Sequence, residues 1–279
     1  MKVFIIGISG SVGLLLARNL LDRGDEVSGL VRREQQRRDL AALGVDVHLG
    51  DLTALTAECL ASLFAGADAV VYSAGSNGGA RAVTVAVDSD GAVNALEATQ
   101  LAGVPCFALV SVMPEAARGQ ELTDDEEFYF AVKKLVDVTV SVSGLDWLIL
   151  RPSLLVDRAG TGVVSLGPAQ PHDEISREDV AATLAELLHE PGIRRRILEL
   201  TQGATPIVQA VRAMARGRRL RLATAGGSAR RSRGVHPSVS VQDAMSTPWL
   251  SGEASDHQAG ACESSTSLPP AASAASTRS

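Results

Sequence analysis

An apolar run, Val3-Phe4-Ile5-Ile6, leads directly into Gly7-Ile8-Ser9-Gly10-Ser11-Val12-Gly13, and helical apolar spacing follows. That order is strand, tight turn, helix N-terminus. Such a turn brings backbone N–H groups against a phosphate, and the helix dipole favours negative charge there. Gly7 can take the sharp exit from the strand. Gly10 leaves room for a pyrophosphate, and Gly13 lets the helix pack on the strand. Ser9, Ser11 and Val12 complete the turn. The glycines follow Gly-x-x-Gly-x-x-Gly, not the commoner Gly-x-Gly-x-x-Gly. An ordinary βα turn also carries glycines, but this placement at the very first strand favours dinucleotide binding.

The alternation continues for about two hundred residues. Strands are expected at Lys2–Ile6, Glu26–Val31, Val45–Leu49, Ala67–Ser73, Pro105–Ser111 and Leu145–Leu150. Helices are expected at Val12–Arg23, Gln35–Leu43, Thr53–Phe64, Val85–Ala102 and Asp124–Ser143, most of them closed by a glycine. Thr53 is the expected N-cap of the third. Strands joined by helical crossovers imply an α/β fold with a doubly wound, mostly parallel sheet of Rossmann type. Its ligand belongs at the carboxyl ends of the strands, where strand order reverses. Beyond Pro152 the pattern loosens. Ser176 caps a further helix with Asp179 at the capping-box position. Ile197–Leu200 and Pro206–Ala215 close the ordered part.

Composition bounds the rest. The chain has 279 residues and a net charge of −6. No run of about 18 apolar residues suggests a membrane span. Three cysteines, Cys59, Cys106 and Cys262, are too scattered for a disulfide framework or a metal site. No targeting segment is evident, and a reducing cytoplasm is the expected location. Residues 1–216 are read as the dinucleotide-binding domain. Residues 217–279, rich in Arg, Ser, Ala and Pro, are read as a disordered low-complexity tail. Its arginines lack interleaved aromatics, which argues for a solvated tail over nucleic-acid binding. Out-of-frame translation of a GC-rich gene would give the same composition.

Arg32 and Arg33 follow the second strand, where a dinucleotide fold presents the adenosine ribose. Arginine there pairs with a 2′-phosphate, favouring NADP over NAD. Asp51-Leu52 follows the third strand, where the carboxylate can accept from the adenine amino group and the leucine can pack on the ring. Ala74-Gly75 closes the fourth strand and lets a cofactor lie close to the backbone. Tyr129 and Lys133 stand four apart on a helix and share one face. A nearby ammonium lowers a phenol's pKa towards the working range. The same lysine can donate to the nicotinamide ribose. Lysine is scarce in this chain, and tyrosine occurs only twice.

Taken together these residues resemble an atypical short-chain dehydrogenase/reductase, of the small NAD(P)H-binding group that includes NmrA-like and biliverdin-reductase-B-like proteins. The similarity runs over residues 1–213. It rests on Gly7, Gly10 and Gly13, Val31-Arg32, Gly50-Asp51-Leu52, Val87-Asp88-x-x-Gly91, Val110-Ser111, Tyr129/Lys133, Ser143-Gly144-Leu145-Asp146-Trp147 and Leu150-Arg151-Pro152-Ser153. The resemblance implies a bound nicotinamide dinucleotide touching Pro152, a substrate lobe mainly from 152–213, and a catalytic serine after the fifth strand. Ser111 is the candidate; the adjoining slots, Val112 and Met113, hold no hydroxyl. The expected activity is an NADP-dependent oxidoreductase or isomerase acting on a small carbonyl or alcohol, with Tyr129, Lys133 and Ser111 catalytic. The alternative is a non-catalytic redox sensor, with a protein partner or second copy on the apolar helix face of Val132–Val142.

Overall fold

Every residue of Ala69–Tyr72 is buried, as is Lys2–Ile6 from Val3 onward. Strands apolar on both faces belong inside a parallel sheet covered by helices. The computed structural model, which describes residues 1–114 and 121–215, places both at the centre of one. In chain order the strands are β1 (Lys2–Ile6), β2 (Glu26–Val31), β3 (Asp46–Leu49), β4 (Ala69–Tyr72), β5 (Cys106–Val110), β6 (Asp146–Pro152), β7 (Leu154–Val156), β8 (Val163–Gly167), β9 (Glu174–Ser176), β10 (Arg196–Gln202) and β11 (Thr205–Pro206). The helices are α1 (Ser11–Asp22), α2 (Glu34–Ala41), α3 (Ala57–Phe64), α4 in three contiguous segments (Arg81–Val83, Thr84–Asp90 and Gly91–Leu101), α5 (Asp124–Ser141) and α6 (Arg177–Leu188). A last helix, α7, covers 207–215.

Nine strands form one sheet in the order β11-β8-β10-β6-β5-β4-β1-β2-β3. β1 to β6 and β10 run parallel, β8 is antiparallel to β10, and β11 is antiparallel to β8. Strand order reverses between β1 and β4. This is a Rossmann-type doubly wound sheet, as the alternating pattern implied. The period-2 alternation of β1 divides the core. Val3 and Ile5 pack with Leu16 and Leu20 of α1 and Leu184 and Leu188 of α6. Phe4 and Ile6 pack on the opposite face with Leu60 of α3, Ala95 of α4 and Val136 and Val140 of α5.

Helix α4 departs from regular geometry. Its middle segment, Thr84–Asp90, is π-helical, and the Gly91 N–H bonds the Ala86 carbonyl five residues back. The cause is local. The Tyr72 hydroxyl, on a fully buried ring, donates to the Val87 carbonyl. A side chain inserted into the helical ladder widens it. Gly91 makes the insertion possible, because a Cβ there would lie 2.7 Å from the Tyr72 oxygen.

Two sequence expectations are corrected. The third helix starts at Ala57, capped by Thr56, whose hydroxyl accepts from the Cys59 N–H at 3.4 Å; Thr53 instead bonds Asp51. The chain after Pro152 is more regular than its apolar spacing suggested. β8 and β10 extend the main sheet, and β7 and β9 form a separate parallel pair. β7 and β9 are three residues each, and β7 has no buried residue, so neither carries a readable alternation. Ser176 does cap α6, accepting from the Asp179 N–H at 3.0 Å. The expected tail over 217–279 lies outside the described residues. Among the described residues no helix is long and apolar enough to cross a membrane.

Candidate active site

A cleft of about 750 Å3 runs along the carboxyl ends of β1 to β5. Its floor is the glycine turn. Gly7 adopts φ +84, and a Cβ there would meet the Ala74 N at 2.5 Å. A Cβ on Gly13 would lie 2.3 Å from the Gly7 carbonyl oxygen. Gly10 is the N-cap of α1; no side chain caps the helix, and its first turn carries no acid. The first-turn amides have no carbonyl within the helix to bond. The turn is therefore an open anion cradle beneath the cleft, a fit for the pyrophosphate of a dinucleotide.

Most of the expected site residues line this cleft: Gly7, Ser9, Gly10, Ser11, Val12, Arg32, Asp51, Leu52, Ala74, Gly75, Ser111, Tyr129 and Lys133. Three do not. Gly13 lies behind the turn, where it lets α1 approach. Arg33 sits at the N-terminus of α2, its N–H bonded to the Gln36 side chain at 3.2 Å. Pro152 is buried at the end of β6, opposite Leu200. Towards the β2–β3 end, Arg32 makes no hydrogen bond or ion pair among the described residues, whereas Arg37 and Arg38 pair with Glu34. Asp51 accepts from the Thr53 N–H at 3.0 Å and from its hydroxyl at 2.8 Å. Those bonds hold its carboxyl below the usual range, with Arg32 adding to the effect.

At the β4–β5 end, α5 presents Tyr129, Lys133 and Asp137 at helical spacing along one face. The helix is fixed by a Thr123/Glu126 capping box and by four acids in its first turn, which complement its dipole. Lys133 is 3% exposed; its Nζ donates to Asp88 Oδ1 and to the Val110 carbonyl, each at 3.4 Å. Asp88 belongs to the π-helical segment, and its other oxygen accepts from the Ser76 N–H at 2.9 Å. The lysine's charge is thus answered by Asp88. The Tyr129 phenol is pushed upward by burial and then by the Asp88 charge. This reverses the direction expected from the Tyr/Lys spacing alone. Asp88 is the site residue whose importance the sequence reading missed; the signal was the Val87-Asp88-x-x-Gly91 motif.

Ser111 is 3% exposed, and its hydroxyl makes no hydrogen bond of ordinary geometry among the described residues. It faces the Asp137 carboxyl. Burial pushes that group upward, opposed by Ser111, Arg151 and Lys133. Arg151 donates to Asp137 Oδ2 at 2.8 Å, while Asp137 Oδ1 has no partner among the described residues. Val112 also lines the cleft, but Met113 is buried away from it.

Strand order, glycine cradle and cleft define a Rossmann-type dinucleotide-binding protein. The chain belongs to the NAD(P)H-binding family, whose sequence model matches residues 7–191. It is 36% identical over 214 residues to the uncharacterized sugar epimerase YhfK of Bacillus subtilis, covering 76% of this chain and 99% of the relative. A solved structure named as an NAD-dependent epimerase/dehydratase from Bacillus halodurans superposes with TM-score 0.70 at 29% identity, covering 76% of this chain and 99% of that one. ChuY, an anaerobilin reductase from Escherichia coli O157:H7, shares the fold with TM-score 0.60 at 24% identity, covering 72% of this chain and 97% of that one. The resemblance to atypical short-chain dehydrogenase/reductases is thereby established.

Proposed function

We propose that this protein is an NADP-dependent oxidoreductase of the short-chain dehydrogenase type, acting on a small carbonyl or alcohol. The observation that carries the proposal is the grouping of Tyr129, buried Lys133 and Asp88 beside the glycine cradle. Gly7, Ser9, Gly10, Ser11 and Val12 would hold the pyrophosphate, Asp51 and Leu52 the adenine, and Arg32 a 2′-phosphate. Ala74 and Gly75 leave the cleft floor low. When bound, the nicotinamide supplies or accepts hydride. Tyr129 then protonates the developing alkoxide of a reduced carbonyl. A phenol with a raised pKa keeps its proton across neutral pH, which suits a donor. Lys133 would hold the ribose and is positioned by Asp88, itself fixed by the Ser76 N–H. Ser111 would steady the substrate oxygen after a rotation away from Asp137. Two relatives are named as epimerases, but an isomerase that works through transient oxidation of an alcohol would first need Tyr129 as a proton acceptor, a role the raised phenol disfavours.

The test is NADPH oxidation across quinones, aldehydes and flavins. Turnover that survives Tyr129→Phe unchanged refutes the role given to Tyr129. A second reading, a non-catalytic redox sensor, is favoured by one observation: Leu135 and Val138 on α5, and Val142 just past its end, stand exposed. NADPH binding with no turnover on the panel, together with a partner or second copy whose affinity follows redox state, would select it.

A further inference from the structure

Of the residues after Pro152, only Leu155 and Arg177 line the cleft among those described. One is apolar and the other is a cation. Arg177 opens α6 directly after β9, and β9 runs parallel to β7 with Val156 opposite Ser176. β7 follows β6 after a single residue, and β6 lies beside β5, which ends next to Ser111. Arg177 is therefore on the same end of the sheet as Ser111. It also shares a smaller adjoining cavity of about 290 Å3 with Leu15 of α1, so it borders the anion cradle's helix as well.

Three cations line the cleft, and two are accounted for. Arg32 is assigned to a 2′-phosphate, and Lys133 is buried against Asp88. Arg177 has one ion-pair partner among the described residues: its Nη1 donates to Asp157 Oδ1 at 2.8 Å. Asp157 does not line the cleft, and its side chain is 83% exposed. Such a carboxylate is well hydrated and holds its partner weakly. The rest of its loop is pinned to the first turn of α6. The Gly160 N–H bonds Glu178 at 2.7 Å, and the Gly162 N–H bonds Asp179 at 2.8 Å. Asp157 is thus kept beside Arg177 while remaining replaceable.

We propose that Arg177 is an anion-binding residue of this cleft and that Asp157 is its built-in competitor. Asp157 yields when a ligand's anionic group arrives, either a phosphate of the dinucleotide or a carboxylate of the substrate. The inference rests on the cleft being the nicotinamide nucleotide site. A ligand anion inside the cleft is less hydrated than Asp157, so exchange strengthens the guanidinium's hydrogen bonds.

The experiment uses the full chain in three forms: wild type, Arg177→Gln and Asp157→Asn. NADPH is titrated by fluorescence in one arm. In the other, benzoate and pyruvate are titrated into the NADP-saturated protein. Arg177→Gln is expected to weaken one probe class at least about tenfold, the size of a lost charge-assisted hydrogen bond. Asp157→Asn is expected to tighten the same class. Movement in the NADPH arm assigns a phosphate; movement in the carboxylate arm alone assigns a substrate anion. Asp157 is exposed, so its variant reads out the competition even where Arg177→Gln fails to fold. If wild type binds NADPH and neither variant shifts either arm, the role of Arg177 is overturned alone. If wild type binds no NADPH, the nucleotide reading falls with it.

Discussion

Lys133 Nζ lies 3.4 Å from Asp88 Oδ1, with the two side chains 4% and 0% exposed. Neither charge has solvent to fall back on. The pair joins α5 to the π-helical part of α4, and through the Ser76 N–H it reaches the loop after β4. Geometry at the β4–β5 end of the cleft is therefore set by an ion pair that the chain must bury to fold.

Removing one member should leave an uncompensated buried charge, at a cost of about 3–5 kcal/mol. Lys133→Met and Asp88→Leu are each expected to show that loss in denaturant unfolding. The double variant should lose less than the sum of the two. Strict additivity would mean that the pair is not coupled.

Tyr129 carries a phenol raised by burial and by the Asp88 charge. A raised pKa means that the protonated donor persists through neutral pH. Carbonyl reduction should accordingly be independent of phenol ionisation between about pH 6 and 9 and decline only at more alkaline pH. Tyr129→Phe should lower kcat by about 10²–10⁴ with NADPH affinity retained. Asp88→Asn, which keeps an acceptor for Ser76, should move the alkaline limb to lower pH. A limb that stays in place would exclude Asp88 as a cause of the shift.

Arg32, near Asp51, makes no ion pair among the described residues. Arg32→Ser is expected to weaken NADPH binding about tenfold, one lost charge-assisted contact, while NADH binding stays within about twofold. Parallel titrations of the two cofactors decide the matter. An equal loss for both would assign Arg32 to the shared part of the dinucleotide.

Gly91 faces the Tyr72 hydroxyl. Gly91→Ala brings a Cβ to 2.7 Å from that oxygen and 3.1 Å from the Ala86 carbonyl. Overpacking of this kind costs about 1–3 kcal/mol. Thermal unfolding should show the loss, and Tyr72→Phe in the same background should recover part of it.

The glycine turn, the six parallel strands of the first half and the Tyr129–Lys133 helix were legible because each is signalled locally, by period or by spacing. The start of α3 was not. Thr53 was the expected cap, but its hydroxyl is taken by Asp51, and Thr56 caps the helix instead. β7 and β9 were missed because three residues carry little alternation. At the site, spacing placed Lys133 on the face of Tyr129, but spacing says nothing about what else meets the lysine. Burial, and after it the charge of Asp88, 45 residues before the lysine, pushes the phenol upward, and only the fold supplies both. Arg177 was invisible for the same reason.

The π-helical segment of α4 has a wider consequence. A single extra residue per turn breaks the rotational phase between the two ends of the helix. The upstream end can present Val83 and Val87 to the cleft, while Ala95 and Ala98 downstream keep their seat in the core. The two ends are thereby freed to vary independently. A change of substrate could be accommodated by residues ahead of Gly91 without disturbing the packing behind it.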